Sequence, residues 1–254
     1  MNGPSAPDLL RHWDDAGERR PVLVRALPPG WRAISSAVLG GGLGPCGWWL
    51  NAQVSKHYHH PDPVAHAAEL AASFGLSGPG VAMLTAADAS RFTVADCDGV
   101  ETVVTVGLGL PIPAAATPQA TALEDYSPPV EGAVPEVHPA PGTINMLVAV
   151  PVALSDAALV NAVMTATEAK TQALVEAGVP GTGTSSDAVC IACPVGTVDD
   201  EGLYGGPRSA WGARIARAVH RAVADGTTDW TTQNPPGDPH RRWGSPWPEA
   251  RAAR

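Results

Sequence analysis

What most limits the folds open to this chain is the order of its periodic segments: short β-leaning runs fill the first half, and strand–helix units fill the second. Val22–Leu27 and Arg32–Leu39 come first, separated by Pro28-Pro29-Gly30. That turn signal predicts an antiparallel hairpin. The second run ends in Gly40-Gly41-Gly42-Leu43-Gly44-Pro45, a Gly-rich loop that is either a plain turn or a place where backbone N–H groups approach a ligand. Beyond Asn51 and the cluster His57-Tyr58-His59-His60, Asp62 and Pro63 open a helix over Pro63–Phe74, with Gly75 past its end. Val81–Thr85, Phe92–Ala95 and Thr102–Val106 read as strands. Residues 111–141 are proline-rich and without period, a functional or a mobile loop. Thr143–Val150 reads as a strand, and Ser155 caps a helix that runs to about Ala177 and stops at Gly178. A strand around Cys190 and a helix over Ser209–Asp225, stopped by Gly226, complete the body. Early hairpins and late crossovers predict an α+β fold: one domain with a mixed, largely antiparallel β-sheet and packed helices.

Residues 1–20 are polar without period and read as a flexible N-terminal tail; 21–225 are the expected folded domain. Residues 226–254, rich in Pro and Gly with isolated tryptophans, read as a disordered C-terminal tail. With 254 residues, 44% apolar and 16% charged, the chain can bury a substantial core. No apolar run reaches the ~18 residues of a membrane span, and Met1–Arg20 lacks a secretory pattern, so a cytoplasmic location without a membrane partner is expected. A net charge of -9 and a pI near 5.3 argue against nucleic acid as partner. Arg214, Arg217 and Arg221 space as a solvated helix face, and the Gly-Ala-Val strands allow a homodimer without requiring one.

No metal site is expected. Cys190 and Cys193 form a C-x-x-C inside an apolar run that reads as a buried strand, where positions three apart face opposite ways. His57 and His59 share a face only if extended, and no nearby cysteine or carboxylate completes a tetrahedral set. The phosphate loop, the nucleophile elbow, the zinc-protease helix and the dinucleotide fingerprint are all missing.

Chemistry concentrates in three polar motifs at the edges of apolar elements. Gly142-Thr143-Ile144-Asn145 enters a strand, so Thr143 and Asn145 share a face and are either turn residues or a nucleophile and an oxyanion donor. In Thr167-Glu168-Ala169-Lys170, helical spacing puts Leu159, Val160, Val163, Met164, Thr167 and Leu174 on one apolar arc, with Lys170 projecting into it. Such a lysine either snorkels outwards or belongs to a site. Glu168 falls at the border of the polar arc, away from Lys170. Thr182-Gly183-Thr184-Ser185-Ser186-Asp187 packs four hydroxyls and a carboxylate just ahead of the Cys190 strand, which suits a polar substrate or a helix cap.

These residues, in this order, resemble the adenosylcobinamide amidohydrolase family of corrinoid salvage. The resemblance extends over Ser35-Ser36, Gly41-Gly42, Asn51, Met83-Leu84-Thr85-Ala86-Ala87 and Thr105-Val106-Gly107 to the three polar motifs. Departures are small: Ser186 where the family tends to have threonine, and Leu108-Gly109 after Gly107. The resemblance implies a cytoplasmic hydrolase that cuts the amide between the aminopropanol arm and a corrin propionate, with no cofactor of its own, since the cobalt belongs to the substrate. On that chemistry Thr143 is the nucleophile or positions water, and Lys170, embedded among apolar neighbours, is base and later acid. Asn145 and the Thr182–Thr184 backbone donate to the oxyanion, and Asp187 or Glu168 orients the lysine or activates water. Gly41, Gly42, Asn51, Thr85, Thr182, Gly183 and Thr184 contact the substrate, residues 107–117 and 118–141 cover the corrin, and His57 or His59 approaches cobalt. Two other readings stay open: a corrinoid carrier that cuts nothing, and a self-processing hydrolase that cleaves at Gly142/Thr143.

Overall fold

The structure, a computed structural model, describes residues 9–15, 17–116, 142–241 and 243. Ten strands form two stacked sheets. In chain order they are β1 (Leu10–Asp15), β2 (Glu18–Ala26), β3 (Trp31–Ser35), β4 (Gly42–Pro45), β5 (Trp48–Gln53), β6 (Val81–Thr85), β7 (Thr93–Cys97), β8 (Val100–Val106), β9 (Ile144–Ala149) and β10 (Ala188–Pro194). One sheet has the order β1-β2-β5-β6, the other β4-β3-β10-β9-β8-β7. Neighbours are antiparallel except β5–β6 and β9–β10. Each parallel pair is joined by a helix, as a crossover requires: α1 (Pro63–Ser73) links β5 to β6, and α2 (Asp156–Glu176) links β9 to β10. A third helix, α3 (Ala210–Gln233), follows β10.

Alternation along the strands sorts the core into three layers of contact. Leu23, Trp49 and Met83 of the smaller sheet meet Ala33, Val103, Leu147, Cys190 and Ala192 of the larger between the sheets. The other face of the smaller sheet, with Val22, Trp48, Leu50 and Ala82, packs on Ala67, Leu70 and Ala71 of α1. The outer face of the larger sheet, with Val104, Ile144, Met146, Val148 and Ile191, packs on α2 and α3. The order is helix, sheet, sheet, helices. Cys190 thus lies between the sheets and Cys193 against the helices, opposite faces of one strand.

The α+β class is as the sequence indicates, but the strands are shared between two sheets. Val22–Leu27 and Arg32–Leu39 do not form a hairpin: β2 pairs with β1 and β5, and β3 with β4 and β10. Pro28-Pro29-Gly30 carries the chain across from one sheet to the other, with the Leu27 N–H bonded to the Gly47 carbonyl and the Val195 N–H to that of Gly30. An inter-sheet ion pair marks the same crossing, Arg25 of β2 gripping Glu101 of β8 through two bonds of 2.8 and 3.0 Å.

Part of each expected tail is ordered. Residues 10–15 and 18–20 belong to β1 and β2, where the Trp13 indole N–H bonds to the Gln53 carbonyl at 3.0 Å. At the other end α3 runs through Gly226, which is a close-approach position and not a stop: a Cβ there would lie 2.6 Å from Val106 Cγ2. Beyond it, Trp243 stacks on Trp230 at 5.9 Å and donates to the Leu108 carbonyl. Residues 1–8, 16, 242 and 244–254 of those tails lie outside the described residues, as does the expected corrin cover over 118–141.

The caps of α1 and α2 are where local sequence puts them. Asp62 accepts from the Ala65 N–H and Ser155 from the Ala158 N–H. The buried face of α2 is not the expected arc, however: Val160 and Met164 are about half exposed and Thr167 is exposed. Its inner face is Ala158, Leu159, Ala162, Thr165, Ala166, Ala169, Lys170, Ala173 and Leu174, because small alanines allow the helix to lie close on the sheet and on α3. Among the described residues no helix is long and apolar enough to cross a membrane.

Candidate active site

β9 and β10 run parallel in register, Asn145 opposite Ala188, so the motifs that precede them, at Thr143 and Asp187, lie side by side at one end of the larger sheet. Asp187 is the hub. Its Oδ1 accepts from the Ile144 N–H at 2.9 Å and from the Thr184 hydroxyl at 2.5 Å. Its Oδ2 accepts from the Thr184 N–H at 3.1 Å and from the Lys170 ammonium, reaching across from α2. Four donors fill the carboxylate's acceptor sites. Asp187 is therefore a fixed anchor for Lys170, with no lone pair left to activate water.

Thr143 is held by the neighbouring residue of the same loop. Its hydroxyl and that of Ser186 are 2.7 Å apart, and Ser186 Oγ also reaches the Gly142 carbonyl at 3.4 Å. Two consecutive residues, Ser186 and Asp187, thus grip two others, Thr143 and Ile144. This grip links the ammonium, through Asp187, to the strand start that carries the Thr143 hydroxyl. Lys170 is only 7% exposed and shares the buried face of α2 with Ala166, Ala169 and Ala173.

Gly183 makes the ion pair sterically possible. A Cβ on it would sit 2.4 Å from Asp187 Oδ2 and 2.5 Å from Lys170 Nζ. The rest of its loop is tied to the segment after β8: the Thr182 N–H bonds to the Ile112 carbonyl at 3.0 Å, the Ile112 N–H to the Gly183 carbonyl at 2.9 Å, and the Ala114 N–H to the Thr182 hydroxyl at 2.9 Å. The backbone N–H of Thr182 and that of Thr184 are both engaged within the fold, so the expected oxyanion donors at these positions are spent on shaping the loop.

A second polar set lies deeper, between the sheets. The Asn145 amide nitrogen donates to Asn51 Oδ1 at 2.9 Å and to the Leu84 carbonyl at 3.0 Å, and the Asn51 amide donates to the Thr105 hydroxyl at 3.0 Å. Both asparagines are fully buried. Asn145 has no N–H left for an oxyanion, and its Oδ1 has no partner among the described residues. Thr85, also buried, accepts from the Ala87 N–H at 3.0 Å and shapes the end of β6. Asn51, Thr105 and Asn145 join the two sheets through these bonds.

The ends of β6, β8, β9 and β10 that carry the motifs thus converge on a buried lysine, a tethered carboxylate and a hydroxyl pair. A family model described as adenosylcobinamide amidohydrolase matches residues 8–235 of this chain. The chain belongs to the adenosylcobinamide amidohydrolase family. A curated protein of that name from Methanosarcina mazei (strain ATCC BAA-159 / DSM 3647 / Goe1 / Go1 / JCM 11833 / OCM 88) is 28% identical over 203 residues, 77% of this chain and 90% of its own length. Another from Halobacterium salinarum (strain ATCC 700922 / JCM 11081 / NRC-1) is 35% identical over 171 residues, 66% of this chain and 65% of its own.

In this amidohydrolase-family chain the remaining candidates lie apart from the cluster. Glu168 is exposed on α2, and Asp187, not Glu168, holds the lysine. Gly41 lines a groove of about 460 Å³ with Leu39, Leu43, Trp48, Ala71 and Gly80, on the flank where β4, β6 and α1 meet. Neither Lys170, Asp187 nor Thr143 lines it. Gly42 pairs with Ser35 at the edge of the larger sheet. His57 and His59 are exposed in the loop before α1, and among the described residues no three His, Cys, Asp or Glu are placed to hold a metal ion. Ser186 is the residue to which sequence reading gave no role. Its place in a hydroxyl-dense loop was the signal.

Proposed function

We propose that this chain hydrolyses adenosylcobinamide at the amide joining the aminopropanol arm to a corrin propionate, at the Thr143–Lys170–Ser186–Asp187 cluster. The products are adenosylcobyric acid and 1-amino-2-propanol, as corrinoid salvage in the cytoplasm requires. The observation that carries the assignment is the Asp187 carboxylate, which bonds Lys170 and the Ile144 N–H at once and so ties an ammonium to the residue that follows Thr143.

Hydrolysis of an unactivated amide needs a nucleophile, a positive group for the developing oxyanion and a proton for the departing amine. Thr143 Oγ attacks the amide carbonyl, and its proton passes through Ser186 to the leaving nitrogen, so that the amine departs neutral. Of the three protons on the Lys170 ammonium, one is held by Asp187, which leaves the others to hydrogen-bond the oxyanion while the ammonium keeps its charge. Water then hydrolyses the acyl-threonine ester and restores the hydroxyl. The reading assigns the protein no cofactor, and the cobalt enters with the corrinoid.

The test is turnover of adenosylcobinamide followed by mass spectrometry for cobyric acid. Thr143→Ala and Lys170→Met are each expected to reduce it by about 10²–10⁴-fold. Near wild-type turnover in both variants would end the assignment.

A further inference from the structure

We infer that the chain cuts its own Gly142–Thr143 peptide bond, so that Thr143 becomes a new N-terminus whose α-amine is the base for its own hydroxyl. This rests on Thr143 being the nucleophile and extends that reading to how the nucleophile is made.

Among the described residues the Thr143 hydroxyl has no base. Its partner is another hydroxyl, Ser186, at 2.7 Å. The charged groups beside it are committed to one another, Lys170 to Asp187, and Asp187 already takes four donors. A free α-amine is attached to the same Cα as the hydroxyl-bearing side chain and titrates at about 7.7–8.0, against about 10.4 for a lysine. A sizeable share is unprotonated near neutrality, which is the activation used by N-terminal threonine nucleophiles.

The bond itself is set up for attack. Ser186 Oγ contacts both the Thr143 hydroxyl and, at 3.4 Å, the Gly142 carbonyl oxygen, so one group can relay the proton and polarise the carbonyl. Gly142 lies in a backbone cradle where a Cβ would be 2.3 Å from the Gly107 oxygen, which fixes its position. Gly142 is buried, and Thr143 is 4% exposed. While Gly142 remains attached, that burial keeps a large corrinoid from the hydroxyl. Cutting the bond frees the flank of the nucleophile and supplies its base together.

The step balances without any reagent but water. Thr143 Oγ adds to the Gly142 carbonyl carbon, its proton passes through Ser186 to the Thr143 nitrogen, and the C–N bond breaks to leave an ester between Gly142 and Thr143. Water hydrolyses the ester to a Gly142 carboxylate and the Thr143 hydroxyl. The two pieces, 1–142 and 143–254, stay associated through the pairing of β9 with β8 and of β10 with β3.

The experiment is an intact mass of the purified full-length chain, fresh and after incubation at neutral pH with and without hydroxylamine, which cleaves esters. Two polypeptides are expected, the second beginning at Thr143 by N-terminal sequencing, with hydroxylamine speeding their appearance. Thr143→Ala should stay whole, Thr143→Ser should be cut and so show that the site folds, and Ser186→Ala should be cut about a hundredfold more slowly. A wild-type chain that stays whole at 26.0 kDa overturns the inference. If that whole chain turns over adenosylcobinamide and Thr143→Ala does not, Thr143 stands as nucleophile without self-cleavage. Cutting that persists in Thr143→Ala overturns the inference as well.

Discussion

Lys170 of α2 and Asp187, the residue before β10, form an ion pair whose side chains are only 8% and 14% exposed. Breaking such a pair from the lysine side leaves Asp187 with three donors, whereas removing Asp187 strands a buried ammonium and frees the Ile144 and Thr184 N–H groups. Asp187→Ala should therefore destabilise the fold by about 3–5 kcal/mol, and Lys170→Met by clearly less. Urea unfolding of the two variants checks the order. A larger loss for Lys170→Met would contradict the hub role given to Asp187.

Gly183→Ala tests the geometry without touching a polar group. The added methyl falls within 2.5 Å of both charged atoms, so the pair has to part. Since a displacement of about 1 Å can cost a hundredfold in rate, turnover of adenosylcobinamide should drop at least about tenfold. Binding measured separately should change far less than turnover.

The asparagine pair between the sheets should behave as structure. Asn51→Ala leaves the Asn145 amide and the Thr105 hydroxyl without their buried partner, at about 1–3 kcal/mol. For a chain of this size that lowers the melting temperature by about 2–4 °C per kcal/mol. Scanning calorimetry measures it. A variant as stable as wild type would show that the network holds nothing together.

His66 of α1 predicts a pH dependence of stability. Burial first, and the neighbouring His60 second, hold its imidazole below the usual value, while Asp15 and Glu69 partly oppose them. The neutral ring, hydrogen-bonded to the Tyr58 hydroxyl at 2.9 Å, is the form the fold favours. Its contribution is present above the unfolded value of about 6.5 and is lost as pH falls through the lower folded value. Melting temperature should decline on acidification below about pH 6.5, and His66→Gln should flatten that part of the curve.

What the sequence revealed was what neighbouring residues determine among themselves. Asp62 and Ser155 announce helix starts because a cap is made within three residues, and both act as caps. The opposite faces of Cys190 and Cys193 follow from strand period alone. Pro28-Pro29-Gly30 states that the chain turns but not towards which sheet, so a crossing looks like a hairpin. β5 was hidden because Asn51 breaks its apolar run, and the reason for Asn51 is Asn145, 94 residues further on. Likewise Val160 and Met164 look like core by hydropathy, yet a helix this close to its neighbours buries alanine in their place. The lysine stood out among apolar residues, but the specific tie to Asp187 became visible only when parallel β9 and β10 set the two motifs in register.

The Arg25–Glu101 clasp has a consequence for how a macrocycle as wide as a corrin gains entry. Glu101 lies opposite Ala149, at the far end of β9 from Asn145, so the layers are fastened by a guanidinium–carboxylate bridge at one level and by amides at another. A stack riveted at two heights does not open like a book. Any opening is left to the connecting segments at the rim, where residues 112–114 and 182–184 are laced to each other by a few backbone and hydroxyl bonds.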